Sequence, residues 1–270
     1  MARKQDSTAA SLRAFAALEA LVAADGPVAL AEIAARVGLP KPTVHRLLAQ
    51  LEEGELVQRE PQARAAFQPE GASERPAPAG RRYVVGPRLA SLALRVMTHS
   101  THRGARHAIL QGLVDELGET CNLTMLDGAQ IVYLDRVETA SPLRVNLQPG
   151  SRVPLHCTAS GKLLLALLPA ARRERLLAQA TLERHTPNTF VARAALDEEL
   201  KRVRRDRLSV DAEEFVMGLV CAAVPVCAAD GRAIAAVATQ GPVTRMPLDR
   251  AIKLAPRLRE AAEALARTFE

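Results

Sequence analysis

Apolar residues recur at helical spacing through the first part of the chain and at strand spacing further on. Leu12, Phe15, Leu18, Leu21 and Val22 mark a helix over 11–24. A second helix is expected over 31–37, with Ile33, Ala34 and Val37 inward. Gly38 supplies a permissive turn position, and Leu39 plugs the gap that follows. Val44, Leu47, Leu48 and Leu51 form the buried stripe of a third helix, and Pro42 is tolerated in its first turn. Residues 56–59 and 82–85 read as two short strands. The segment between them, 60–80, is rich in Pro, Ala and Gly and long for a hairpin connection. Leu89, Leu92, Ala93 and Val96 then give a connecting helix over 86–101. Ala105, Ile109, Leu113 and Leu117 give the inward face of another over 102–117.

From there the period falls to two. Strands are expected over 121–126 and 130–134, joined as a hairpin at Asp127-Gly128, and a third over 143–145. Helical patterns cover 161–168, 172–180 and 194–206. Two more strands, 217–226 and 233–239, flank Asp230-Gly231, and an amphipathic helix over 248–269 closes the chain. The organisation is α+β. A winged helix-turn-helix domain occupies 1–85, a linker helix 86–101 and an antiparallel-sheet domain 102–270.

Two helices around a glycine turn, followed by two strands, suit a helix that enters a DNA major groove. Lys41, Thr43, His45, Arg46 and Gln50 fall on its outer face. Lys and Arg can meet phosphates or guanine, and Gln can pair with adenine. Arg64, Arg75, Arg81 and Arg82 border or lie in the wing and could reach the backbone. Charge adds little to this picture. The whole chain carries +6, but residues 1–85 hold 11 basic against 10 acidic side chains. An ordinary helical hairpin has a similar pattern, so the weight rests on the succession of elements. The basic run 201–207 reads as a solvated helix face ending in a turn.

With 270 residues, 48% hydrophobic, the chain is long enough for two globular domains. Cys121, Cys157, Cys221 and Cys227 form no CxxC pair, and no signal-peptide pattern precedes them. Reduced thiols and a cytoplasmic setting are expected. The most apolar stretch, 215–229, is too short to span a bilayer and contains Pro225, so no membrane partner is expected. No nucleophile elbow, Walker loop or dinucleotide fingerprint is present, and no catalytic residue or cofactor is assigned. His156-Cys157 invites a metal reading, but neighbours on extended chain point apart, so no metal site is assigned.

Four motifs in order resemble the IclR-type family of bacterial transcriptional regulators. They are GLPKPTVHRLL over 38–48, PLHCTASGK over 154–162, the acidic run 211–214 leading into GLVCAAVPV over 218–226, and Gly241-Pro242 with Arg245. The resemblance spans essentially the whole chain. It implies a winged helix-turn-helix joined to a GAF-like effector domain, acting as a homodimer or dimer of dimers on a palindromic double-stranded DNA operator. It also implies a small organic acid as effector.

Carried over, the effector pocket has a rim around Leu143, Val145 and Leu147 and a floor at Ser160 and Gly161. Asp211 and Cys221 face them, and Ala238 and Gln240 complete the set. Met125, Leu143, Val145 and Leu147 can wall an aromatic ring. The helix expected after Ser160-Gly161 can hold a carboxylate on its first amides; simple helix capping fits the same residues. Family pockets for very small keto acids carry hydroxyls where Ala238 and Gln240 stand, which disfavours a glyoxylate- or pyruvate-type effector; the apolar walls favour an aromatic acid. The resulting reading is a DNA-binding transcriptional regulator that senses an organic acid. Its alternatives are a ligand-free interaction protein and an enzyme with a vestigial DNA-binding head.

Overall fold

The computed structural model describes residues 2–24, 26–60, 81–99, 103–141 and 147–269. The chain divides into two compact units, one through Arg95 and one from Val96. In the first, α1 (Ala2–Val22) precedes β1 (Val28–Ala29), α2 (Leu30–Val37) and α3 (Lys41–Glu53). Then come β2 (Val57–Arg59), β3 (Arg82–Val85) and α4 (Pro87–His99), whose last residues pass into the second unit. The sheet is antiparallel, in the order β1-β3-β2. β1 was not expected; two residues are too few to show a period.

Ala17, Ala20, Leu21, Ile33, Val44, Leu48, Val57 and Tyr83 form the core of this unit. The buried face of α1 therefore differs from the expected one. Leu12, Phe15 and Val22 are 65%, 65% and 63% exposed. Small alanines on the opposite face let α1 pack against α2 and α3. Gly38 ends α2 in the left-handed region at φ 69°, with its N–H on Ala34 O, which turns the chain into α3.

The second unit runs α5 (Arg103–Leu117), β4 (Thr120–Asp127), β5 (Gln130–Val137), β6 (Arg152–Pro154), α6 (Ala159–Leu167), α7 (Ala170–Gln179) and α8 (Arg193–Asp206). β7 (Ser209–Ala212), β8 (Leu219–Cys227), β9 (Ala233–Pro242), α9 (Leu248–Lys253), α10 (Ala255–Ala266) and a 3-10 turn at Arg267–Phe269 follow. Six antiparallel strands are ordered β6-β5-β4-β9-β8-β7. Of these, β6 and β7 were not expected. The strand expected over 143–145 lies outside the described residues.

Helices cover both faces of the sheet. Ile131, Tyr133, Ala223, Ala236 and Ala238 pack with Leu163, Leu164, Leu196 and Leu200 of α6 and α8. The alternate residues Val132, Leu134, Ala222, Val224 and Val237 are equally buried, and α5 and α10 pack against these strands. Burial on both faces suits a sheet covered by helices on each side. Two helices differ from expectation. In α5, Ala105 is exposed while Arg106 turns inward, its Nε donating to Thr268 Oγ1 at 3.0 Å and its guanidinium 4.2 Å from the Phe269 ring. The closing helix is broken at Leu254, because Pro256 in the first turn of α10 has no N–H to continue the ladder.

Candidate DNA-reading face and ligand cavity

On α3, Val44, Leu48 and Leu51 point inward, leaving Lys41, His45, Arg46 and Gln50 exposed and Thr43 half-buried. Lys41, Arg46 and Gln50 make no side-chain hydrogen bond or ion pair among the described residues, so their polar ends are available to an external partner. Arg81 Nη1 lies 3.3 Å from His45 Nε2. A guanidinium only donates, so Nε2 accepts and the ring hydrogen sits on Nδ1. Arg82 Nη1 donates to Pro27 O at 3.3 Å. Arg59, exposed beside these groups, is engaged by Glu52 at 2.8 Å. Arg64 and Arg75 lie outside the described residues.

In the second unit, strand register gathers the polar groups. Asn122 pairs with Ala238, Asp211 with Cys221, and Cys221 with Gln240. All five therefore project from one sheet face, beneath the start of α6. They line a small enclosed cavity together with Thr124, Ile131, Tyr133, Leu147, Val153, Thr158, Ala159, Ser160, Phe215 and Leu219. Its volume is about 20 Å³, enough for roughly one water.

Of the expected pocket residues, Leu147, Ser160, Asp211, Cys221, Ala238 and Gln240 meet at this cavity. Leu143 and Val145 lie outside the described residues. Met125 is not in the lining: it pairs with Val132, while Thr124 and Tyr133 one residue away face the cavity. Gly161 is also absent from the lining, and its role is internal. A Cβ there would fall 2.4 Å from Leu155 O and 2.5 Å from Thr158 Oγ1, so only glycine lets α6 start this close to the preceding bend. Asn122, Thr124 and Tyr133 were missed. Their signal was polar residues two apart on an otherwise apolar strand.

Thr158 caps α6, accepting from Gly161 N at 3.2 Å and donating to Pro154 O at 2.7 Å. Ala159 and Ser160 line the cavity, and their amides, in the first turn of α6, have no intrahelical acceptor. Asp211 is 1% exposed, and its Oδ1 accepts from Glu214 N at 2.7 Å and Phe215 N at 3.4 Å. Burial, then the nearby Glu214 carboxylate, pushes the Asp211 carboxyl up to about 7. Burial likewise holds the Cys221 thiol well above its ordinary range, with the Asp211 charge adding to it. With the Gln240 amide turned so that its oxygen faces Arg136, that oxygen accepts from Nη1 and Nη2 at 3.2 and 3.1 Å. The cavity thus offers helix amides, a carboxyl near half-protonation at neutral pH and a hydroxyl, set among apolar walls.

A wider depression of about 400 Å³ lies around Met217, Pro242, Val243 and Arg245 and shares Gln240 with the cavity. It is larger and more apolar, but no helix start converges on it. Beyond the edge of the smaller cavity, His156, Cys157 and His185 bring their ligand atoms together. The expectation that His156 and Cys157 diverge fails because 155–158 is a bend, not extended chain. His185 had no sequence signal, since it joins them only through the fold.

A winged helix-turn-helix unit followed by a sheet domain with a small cavity of mixed polar and apolar lining defines a DNA-binding transcriptional regulator with a small-molecule-sensing effector domain. The profile of the bacterial transcriptional regulator IclR C-terminal domain matches residues 95–267, and that of the IclR helix-turn-helix domain matches 11–61. The chain belongs to the IclR family, whose members are transcriptional regulators rather than enzymes. It is 49% identical over 263 residues to a probable transcriptional regulator SauR of Cupriavidus necator, covering 97% of this chain and 98% of that one. It is 31% identical to the HTH-type transcriptional regulator BhcR of Paracoccus denitrificans, over 91% and 82% of the two chains. Among solved structures, IclR of Thermotoga maritima has a TM-score of 0.60 at 28% identity, covering 94% and 96% of the two chains. A double mutant of the inducer-binding domain of PobR from Acinetobacter, solved with 3-hydroxybenzoic acid, has a TM-score of 0.56 at 28% identity, covering 60% of this chain and 96% of that one. No helix among the described residues is long and apolar enough to cross a membrane.

Proposed function

We propose that this regulator binds a palindromic DNA operator as a homodimer or dimer of dimers and responds to a small organic acid held in the cavity under α6. Convergence carries this reading: Ser160, Asp211, Cys221 and Gln240 come from three strands and a helix start to one enclosed space. The free amides of the first helical turn suit a carboxylate. Protonated Asp211 can donate to the same anion, and Leu147, Ile131 and Phe215 can flank a ring. A double mutant of the PobR domain that binds 3-hydroxybenzoic acid supports a ring-bearing ligand. On the DNA side, Lys41, Thr43, His45, Arg46 and Gln50 read the groove, while Arg81 and Arg82 stand beside them at the wing. Leu92 and Val96 of α4, 53% and 58% exposed, are apolar positions a second subunit would cover. The ligand acts by biasing the spacing of the paired DNA-binding units, since a palindrome is read only at the right separation.

The test is calorimetric titration of the purified chain with hydroxybenzoic and aliphatic acids, followed by operator titration with and without the tightest binder. Binding of an aromatic acid that shifts operator affinity supports the proposal. Binding that leaves operator affinity unchanged refutes the coupling, and a Ser160→Ala chain with undiminished acid affinity removes Ser160 from the site.

A further inference from the structure

His156 and Cys157 stand in the bend between β6 and α6, and His185 lies in the loop between α7 and α8. One ligand atom from each lies within 4.8 Å of the other two. The loop carrying His185 is held in place. Thr186 Oγ1 donates to Glu213 O at 2.7 Å, and Thr189 Oγ1 donates to Glu214 O at 2.7 Å. The backbone N–H of His185 donates to Thr189 Oγ1 at 3.1 Å. Phe215 packs edge-on against the His185 ring at 5.1 Å. The His185 backbone is thus fixed while its side chain remains exposed.

His156 Nε2 lies 2.9 Å from Glu183 O. A carbonyl only accepts, so Nε2 carries the hydrogen and Nδ1 keeps the lone pair. A ring N–H tied to a backbone carbonyl is the arrangement that orients metal-ligating histidines. Cys157 is fully buried, and the two imidazole centroids are 6.0 Å apart.

We propose that His156, Cys157 and His185 form a divalent-metal site, with Zn²⁺ its best occupant. Two imidazoles and a thiolate suit zinc, whereas calcium and magnesium require oxygen donors. Zinc bonds of about 2.0–2.3 Å place tetrahedral donors roughly 3.3–3.8 Å apart. A spread of up to 4.8 Å must close by about 1 Å to reach this, and His185, exposed in its loop, is the ligand with most room to move. As the metal–sulfur bond forms, the Cys157 proton leaves to solvent. The fourth position faces the exposed side of His185 and takes water or an exchangeable ligand. Occupancy would clamp the α7–α8 loop to the bend leading into Thr158, which lines the cavity. The site does not depend on the identity of the effector.

The test uses the full chain, stripped by chelator and titrated first with Co²⁺ and then with Zn²⁺. One equivalent of cobalt with tetrahedral visible bands and a thiolate charge-transfer band, displaced by zinc, is expected. His185→Ala, a surface change, should weaken zinc binding by at least roughly 100-fold, the upper end of the loss caused by removing even an outer-shell partner. Cys227→Ser should leave the spectrum unchanged. Cobalt binding without the thiolate band, or a spectrum that survives His185→Ala, overturns the proposal.

Discussion

Two buried groups in the effector unit have consequences that can be measured. Unfolded, Asp211 ionises near its ordinary 3.8, whereas the native carboxyl keeps its proton up to about 7. Its contribution to stability is therefore intact below pH 4 and is lost as pH rises through 7. Asp211→Asn should raise the melting temperature more at pH 8 than at pH 5; an equal shift at both values would mean that the raised carboxyl is not what limits stability. Lys162 is 0% exposed, with Nζ on Glu214 Oε1 and 3.4 Å from Glu199 Oε1. Glu214 Oε2 has no hydrogen-bond partner, so that carboxylate already depends on the lysine. Lys162→Ala should cost about 3–5 kcal/mol in denaturant unfolding of the effector unit, because it strands a buried anion. Lys162→Met combined with Glu214→Gln should recover much of the loss. If the double variant is no more stable than the single one, the charge is not the cause. Asp211 was placed in the pocket by the family resemblance, whereas the Lys162–Glu214 pair could not be read from sequence, where both are ordinary charged residues in separate motifs.

Elements were legible where local chemistry specifies them. Gly38 and Pro42 mark the turn and the start of α3, and Gly128 and Gly231 mark turns between sheet strands. Tertiary packing decided what was not legible. Of the apolar stripe expected on α1, Leu18 and Leu21 pack into the core but Leu12, Phe15 and Val22 do not, because alanines such as Ala17 and Ala20 allow closer helix contact. Arg106 could not be read as a core residue because its partners, Thr268 and Phe269, stand at the other end of the chain. β7 became visible only beside β8, yet it carries Asp211 into the cavity. The α3 face yields the prediction that belongs to this scale. Arg46→Ala should weaken operator binding and lower the salt dependence of log K by about one if Arg46 meets a phosphate. Unchanged affinity in a fluorescence titration would place Arg46 outside the interface. A helix that melts would show in circular dichroism and would count against Arg46 as a purely external contact.

At the scale of the whole molecule, the order of the two units follows from the change of hydrophobic period, whereas the cavity does not. Only register brings Asp211, Cys221, Gln240 and Asn122 to one face, and two of the three expected rim residues, Leu143 and Val145, lie outside the described residues. The cavity itself is about 20 Å³, smaller than any aromatic acid. A ligand must therefore part walls that are close-packed without it, as protein interiors generally are. The complex should occupy more volume than its separated parts, so hydrostatic pressure should act as an antagonist. Raising the pressure on the acid-bound protein should raise the apparent Kd and release the ligand without unfolding the chain. A Kd indifferent to pressure would mean that the space is already open in solution.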